Sequence, residues 1–384
     1  MKIAIVHEMF IKLWGAEKII ENWLQIYPDA DIFTLIYDEK VVGKTFPKHK
    51  IHPHVFKTRT QKVYTLTKNQ RFCLPFMSSS IESFDFSSYD IVLVSSSGFA
   101  HGVITKPETK TIIYYHSPAR YMWDWTNEYK RDIWAQTGIK GYILNSLFLK
   151  FRQWDYIAST RHDITLANSK NTARRIQKYY KKDSQVLYPP IETERFAKKM
   201  TNWVNKKHSN RKTPKKYYII LSTLTEFKRL DIALSAFTKL PDVNLIIIGE
   251  WDQRKELELA SSNSQNISLV WAKYGDELVS LVQKSLGLIF PGEEDFGIVP
   301  IEVMAAGKPV FALWRWWLTE TVIPWETWEF FRSIEGEDFL REFQKFHKNN
   351  ISWEYTSKAC KKQAQKFDKT KFEREIIKLI EDRS

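Results

Sequence analysis

The sequence predicts an α/β protein of two doubly wound parallel domains, and three observations carry that prediction. At 384 residues the chain exceeds one domain of about 150 residues and has room for more than one core. Short β-branched runs alternate with longer stretches of helical spacing, the pattern of βαβ units on a parallel sheet. The alternation then stops and starts again. The first series offers Ile3–Val6, Asp31–Tyr37, Ile91–Ser95, Thr111–Tyr115 and Ile164–Ala167 as strands. The second offers Tyr217–Leu221, Asn244–Ile248, Ile267–Val270, Gly287–Phe290 and Pro309–Ala312. Between them lie Tyr188-Pro189-Pro190 and a run from Lys206 to Lys216 with six basic residues, no acidic one and no apolar period, which reads as a solvated linker. The expected division is therefore a first domain over 1–195, a linker over 196–216, a second domain over 217–350 and a closing helical segment over 351–384. That last segment is charged, with Phe367, Phe372, Ile376, Ile377 and Ile380 as its apolar positions. In such sheets ligands bind beyond the carboxyl ends of the strands, so a cleft between two facing domains is the expected place for a site.

Composition narrows the class. The chain is 43% hydrophobic and 27% charged, ordinary for a globular protein, and no apolar run approaches the roughly 18 residues of a membrane span. Met1-Lys2 and four apolar residues give way to His7-Glu8, too soon for a signal peptide, so the cytoplasm is the expected compartment. Cys73 and Cys360 lie far apart without metal-ligand neighbours and read as packing residues. The formal charge of +13 favours an anionic partner. A compact basic and aromatic stripe is missing, which argues against nucleic acid. Lys57, Arg59, Lys62, Lys68 and Arg71, interleaved with Phe56, Val63, Tyr64, Leu66 and Phe72, suggest a surface that could rest on anionic lipid headgroups at the inner face of the plasma membrane. An amphipathic face packed on the sheet would give the same pattern.

The most informative stretch runs from Phe290 to Val310. A strand ends at Phe290, an acidic loop with Gly292 and Gly297 follows, Pro300 suits the first turn of a helix, and Gly307 suits its end. Backbone N–H groups at Gly297–Val299 would attract phosphate or hydroxyl oxygens. Glu294 on the loop and Glu302 in the first turn of the helix could accept hydrogen bonds from sugar hydroxyls. Capping and helix-dipole effects explain two glutamates near a helix start equally well.

Glu294 and Glu302, with Phe296-Gly297, Pro300 and Met304 to Val310 around them, resemble the E-x7-E signature of the family 4 retaining glycosyltransferases. Gly15-Ala16-Glu17-Lys18, Ser95 to Ala100, His116 to Asp124, Ala167 to Lys170, Tyr188-Pro189-Pro190 and Phe227 to Asp231 agree with that family in the same order. The resemblance covers nearly the whole chain. It implies the GT-B fold, two facing Rossmann-like domains, and points to the branch holding bacterial mannosyltransferases that use GDP-mannose in polysaccharide or lipopolysaccharide assembly. By position it implies that Glu302 holds the nucleotide ribose, that Glu294 and the Phe296-Gly297-Ile298 backbone hold the donor sugar, and that Lys228 neutralises the diphosphate. His116, with Glu294 and Lys228, would form the catalytic set, while Gly15, Glu17 and Arg120 would lie on the acceptor and phosphate side. The family often carries an arginine where this chain has Thr223, which throws more of the phosphate charge on Lys228 with Arg229.

The resemblance implies a retaining transfer with no protein nucleophile. The leaving diphosphate takes the acceptor's proton while the protein stabilises the separating charge. No metal and no further cofactor are expected. The alternatives are a nucleotide-sugar epimerase or hydrolase of the same fold, or a non-catalytic protein that binds an anionic polymer.

One count is anomalous. Trp (15) outnumbers Gly (13), although glycine ordinarily makes about 7% of a chain. Trp14, Trp251, Trp271, Trp314, Trp316, Trp317, Trp325 and Trp328 stand where the family pattern calls for glycine. The hypothesis is a gene from a lineage that reads UGA as glycine, with these positions expected to strain the backbone as tryptophan. A tryptophan-rich sugar platform is the competing explanation. The codons decide: UGA is expected at the eight positions, and UGG there would end the idea.

Overall fold

Two wholly parallel six-stranded sheets, one in each of two compact units, make up the computed structural model. It describes residues 1–13, 15–132, 137–198, 216–225, 228–250, 254–292, 294–314, 320–323, 328–331, 336–351 and 356–382. Most of the linker run, up to residue 215, lies outside these.

The first unit comprises Met1–Pro190 and Phe372–Ser384. Its elements in order are β1 (Ile3–Phe10), α1 (Glu17–Ile26), β2 (Asp31–Tyr37), α2 (Glu39–Val42), α3 (Arg59–Thr67), α4 (Leu74–Glu82), β3 (Ile91–Ser96), β4 (Lys110–Tyr115), α5 (Thr126–Asp132), α6 (Gly138–Ala158), β5 (Ile164–Ala167), α7 (Lys170–Tyr180) and the short β6 (Gln185–Val186). The strand order is β2-β1-β3-β4-β5-β6. Helices cover both faces of a parallel sheet, so its strands are apolar throughout rather than alternating. Ile3, Ala4, Ile5 and Val6 of β1 and Val92, Leu93 and Val94 of β3 are all buried.

The second unit, Ile191–Lys371, contains α8 (Thr193–Ala197), β7 (Tyr218–Leu221), α9 (Leu230–Thr238), β8 (Leu245–Ile248), α10 (Arg254–Ser261), β9 (Ile267–Val270), α11 (Gly275–Lys284), β10 (Gly287–Phe290), α12 (Ile298–Ala305), β11 (Val310–Leu313), β12 (Trp328–Phe331), α13 (Gly336–Ile351) and α14 (Ser357–Ala364). Here the order is β12-β11-β10-β7-β8-β9, the doubly wound order in which the chain fills one half of the sheet, returns to its centre and fills the other. The core of this unit is aromatic: Phe311, Phe331, Phe339, Phe343 and Phe346 are fully buried.

All ten expected strands are present, with ends moved by at most a few residues. The exception is β1, which runs to Phe10 because it is central in its sheet, paired with β2 on one side and β3 on the other. β6 and β12 complete the two sheets at edges that the sequence did not announce. The passage to the second unit falls at Ile191, before the expected boundary at 195, because α8 belongs with the second unit: Gln283 donates to the carbonyls of Phe196 and Lys198 at 2.8 and 2.7 Å. The closing segment is not one helix. α14 stays with the second unit, whereas α15 (Lys369–Glu381) enters the first at Phe372. Phe372, Ile376 and Ile380, spaced four apart on one face of α15, are buried in the first unit's core. Each contributes about 1.5–3 kcal/mol of apolar burial. The segment is thereby divided between the units by its own apolar stripe.

Candidate functional site

In the second unit the sheet order reverses between β7 and β10. Connections leave these two strands toward opposite faces, which opens a crevice at their carboxyl ends. The Lys228 loop follows β7 and the glutamate loop follows β10. The Thr225 N–H donates to the Thr223 carbonyl, and the Lys228 N–H to the Thr225 carbonyl, both at 3.0 Å. This turn brings Lys228 back over the sheet, where it is 8% exposed. Its Nζ donates to Glu294 Oε1 at 2.5 Å, a charge-assisted contact in a largely dry position.

The two loops meet through Gly292. A Cβ added there would stand 2.6 Å from the Lys228 Cα and 3.0 Å from its carbonyl oxygen, so only a glycine lets the backbones approach. Gly297 then adopts φ +78°, open to glycine without strain, and serves as the N-cap of α12 with no side-chain cap. Ile298 and Val299 open the helix, where the first N–H groups have no intrahelical acceptor. Phe296 is buried and packs edge-on against Phe367 at 5.9 Å. Glu302 is the fifth residue of α12, one turn later than expected, and is buried at 6% exposure.

The structure separates Arg229 from this group. Its Nε and Nη2 bind Asp231 at 3.2 Å, and it lines a groove of about 620 Å³ between α9 and α10 with Leu234, Ser235 and Glu256. Thr223 sits at the end of β7, with its carbonyl engaged in the turn to Lys228.

The first unit gathers a second group at the carboxyl ends of β1, β3 and β4. His116 follows β4. Its N–H donates to the Ser96 carbonyl at 2.9 Å, and its Nε2 lies 2.8 Å from Ser95 Oγ. Glu17 opens α1, buried, with Oε1 3.6 Å from His7 Nε2. Gly15 lies in the turn before α1, and the Arg120 guanidinium stacks on Trp125 at 4.5 Å.

Three residues here escaped the sequence reading: His7, Glu8 and Ser95. The Glu8 carboxylate accepts from the N–H groups of Phe99 (2.6 Å), Ala100 (3.0 Å) and Ser97 (3.4 Å). Burial raises its pKa, against the opposing pull of these backbone donors. The available signal was a charged pair, His7-Glu8, inside an apolar strand rather than after one. Among the described residues no three His, Cys, Asp or Glu side chains gather as a metal site.

Of the eight anomalous tryptophans, Trp14, Trp251, Trp316, Trp317 and Trp325 lie outside the described residues. The expected strain is absent at the other three. Trp271 and Trp314 follow strands and Trp328 opens β12, and none is among the described residues of positive φ. Trp271 lies under the Arg254 guanidinium at 3.9 Å, and Trp314 meets Phe330 edge-on at 4.5 Å.

Residues 201–367 match the family model described as glycosyl transferases group 1. That stretch, less than half of the 384-residue chain, is similar to the group 1 glycosyl transferases. The alpha-1,3/1,6-mannosyltransferase of Candida glabrata is 24% identical over 208 residues, 44% of this chain and 45% of that protein. An uncharacterized glycosyltransferase of Methanocaldococcus jannaschii is 28% identical over 178 residues, 46% of this chain and 47% of that one. The matched stretches thus span less than half the length of these curated relatives. Over the full chain, the fold is that of GT-B glycosyltransferase structures. Anabaena HepE in complex with UDP and glucose superposes with a TM-score of 0.71 at 14% identity, covering 100% of both chains. WaaG, a glycosyltransferase involved in lipopolysaccharide biosynthesis, gives 0.63 at 12%, covering 99% of this chain and 100% of that one.

The close approach at Gly292 is testable. Gly292→Ala should push the two loops apart and destabilise the second unit by about 1–3 kcal/mol, read as a lowered denaturation midpoint; an unchanged midpoint would show that the loops yield freely.

Proposed function

We propose that the chain is a retaining hexosyltransferase that moves mannose from GDP-mannose to a polysaccharide or lipid-linked acceptor. The observation that carries the proposal is the Lys228–Glu294 pair at the sheet's reversal point, beside the uncapped start of α12. A diphosphate replaces Glu294 as the partner of Lys228, and the carboxylate so released accepts from donor-sugar hydroxyls. Amides at Gly297 and Ile298 add donors for the same oxygens. Glu302 accepts from the ribose hydroxyls. The acceptor hydroxyl oxygen forms the new bond at the anomeric carbon as the bond to the diphosphate oxygen breaks, and the proton passes to that leaving oxygen. Lys228 stabilises the developing negative charge, which is where a fixed cation lowers the barrier. We assign His116 of the first unit to the reacting substrate, and Gly15, Glu17 and Arg120 to the acceptor and phosphate side.

Mannose is supported by the likeness to the alpha-1,3/1,6-mannosyltransferase of Candida glabrata and to that of Saccharomyces cerevisiae, the latter 27% identical over 198 residues, 39% of this chain and 38% of that protein. A second reading, UDP-glucose as donor, is favoured by a structural neighbour solved in complex with that nucleotide sugar. Calorimetry against both separates them. Glu302→Gln should weaken binding of the true donor by about 1–3 kcal/mol, the range of a hydrogen bond to a charged group, with the fold intact. Unchanged affinity would remove Glu302 from the site. Labelled donor consumed without an acceptor would replace transfer by hydrolysis or epimerisation.

We also propose that α3 and the segment after it touch anionic membrane. Val55 and Tyr64 are buried and Phe56 and Val63 pack on the core, as in an ordinary amphipathic face. Leu66 and Phe72, however, are 85% and 61% exposed among Lys62, Lys68 and Arg71. Among the described residues no helix is long and apolar enough to cross a membrane. Sedimentation should show binding to anionic vesicles that weakens with salt; equal binding to neutral vesicles, or none, would count against it.

A further inference from the structure

His7, Ser95 and His116 stand side by side because of strand register. His7 of β1 is the Cα partner of Ser95 on β3, and Ser95 is the partner of Tyr114 on β4. Side chains two apart on a strand share a face, so His116, two residues beyond Tyr114, continues the row. The contacts follow: His7 Nδ1 to Ser95 Oγ at 3.0 Å, and Ser95 Oγ to His116 Nε2 at 2.8 Å. At the other end His7 Nε2 faces the Glu17 carboxylate at 3.6 Å. His7, Ser95 and Glu17 are 2%, 0% and 6% exposed, so bulk water does not scramble the row. The nearby Glu8 carboxylate is engaged by backbone amides.

We propose that the Glu17 carboxylate facing His7, and the hydrogen bonds that run from His7 through Ser95, hold His116 as its neutral Nε2–H tautomer. The direction follows from donor counting. The negative charge of Glu17, 3.6 Å from Nε2, favours the proton on that nitrogen of His7. The other nitrogen of a neutral His7, Nδ1, then accepts, and the single Ser95 hydroxyl proton is committed to it. Ser95 Oγ has only lone pairs left for His116, whose Nε2 must therefore be the N–H. The acceptor atom of the His116 ring is then Nδ1, the atom that would accept a hydrogen bond from a sugar hydroxyl. His7 and Ser95 are thus positioning residues. Their effect on transfer rests on the reading of His116 as a substrate-contacting residue; the tautomer itself does not.

The test is long-range proton–nitrogen correlation spectroscopy of the full chain labelled at histidine, at about pH 9, where imidazoles are neutral. His116→Gln identifies the resonance. His116 should be protonated at Nε2 with a slowly exchanging N–H, and Ser95→Ala should abolish that protection while Ser95→Thr keeps it. Protonation at Nδ1 in the unaltered protein would overturn the chain, and this result does not depend on any Ser95 variant folding. Protection unchanged in Ser95→Ala would overturn it too. In transfer assays Ser95→Ala should lower kcat by roughly 10- to 100-fold with donor Kd unchanged, and an unchanged kcat would overturn the positioning role. If the tautomer is as stated and His116→Gln still transfers normally, the assignment of His116 to substrate fails while the chain stands.

Discussion

The structure depends on one constraint: a parallel sheet closes only through crossovers that bury both of its faces. Every strand then points the same way, and the loops that begin at carboxyl ends share one edge of the sheet. Residues distant in sequence become neighbours through register alone, as His7, Ser95 and His116 do in the first unit. In the second unit the reversal between β7 and β10 places the Lys228 and Glu294 loops together. Those loops need no regular structure of their own, because the strands beneath them fix where they start.

That edge concentrates unsatisfied donors, and the chain meets many of them with its own carboxylates. Glu8 occupies the amides of Ser97, Phe99 and Ala100, and Glu294 occupies Lys228. The two cases differ in what a ligand could displace. Glu8 is fully enclosed and held by three backbone N–H groups, so removing it would expose a buried loop. Glu294 is about a third exposed on a loop and engages a flexible lysine, whose charge is unchanged if a phosphate takes the carboxylate's place. An internal carboxylate of the second kind keeps a cation ordered before its ligand arrives and lowers the reorganisation that binding requires.

Much of this was legible because parallel strands are apolar throughout, and short apolar runs bounded by turn residues survive in sequence. β6, with only Gln185 and Val186, is too short to leave a pattern. β12 reads Trp-Glu-Phe-Phe, which an aromatic loop would also give. The glutamate loop was legible because glycine, proline and carboxylates mark strand ends and helix starts. The direction of Arg229 was not: an arginine next to Lys228 shares its chemistry, but Asp231 two residues on offers a nearer partner. His7 and Ser95 were hidden because polar residues within a strand acquire meaning only from the neighbouring strand.

The tryptophans show where a composition argument and a conformational one part. The excess over glycine belongs to the whole chain and is unaffected by where each indole sits. A requirement for glycine, by contrast, must be met position by position through positive φ or close backbone approach. Gly297 and Gly292 meet it in those two ways. Trp271, Trp314 and Trp328 do not meet the first, and Trp271 and Trp314 make contacts that glycine could not. At these sites glycine would be tolerated by the backbone rather than demanded by it. Any advantage of glycine there must come from the space an indole takes from an approaching ligand, which is a statement about binding and not about folding.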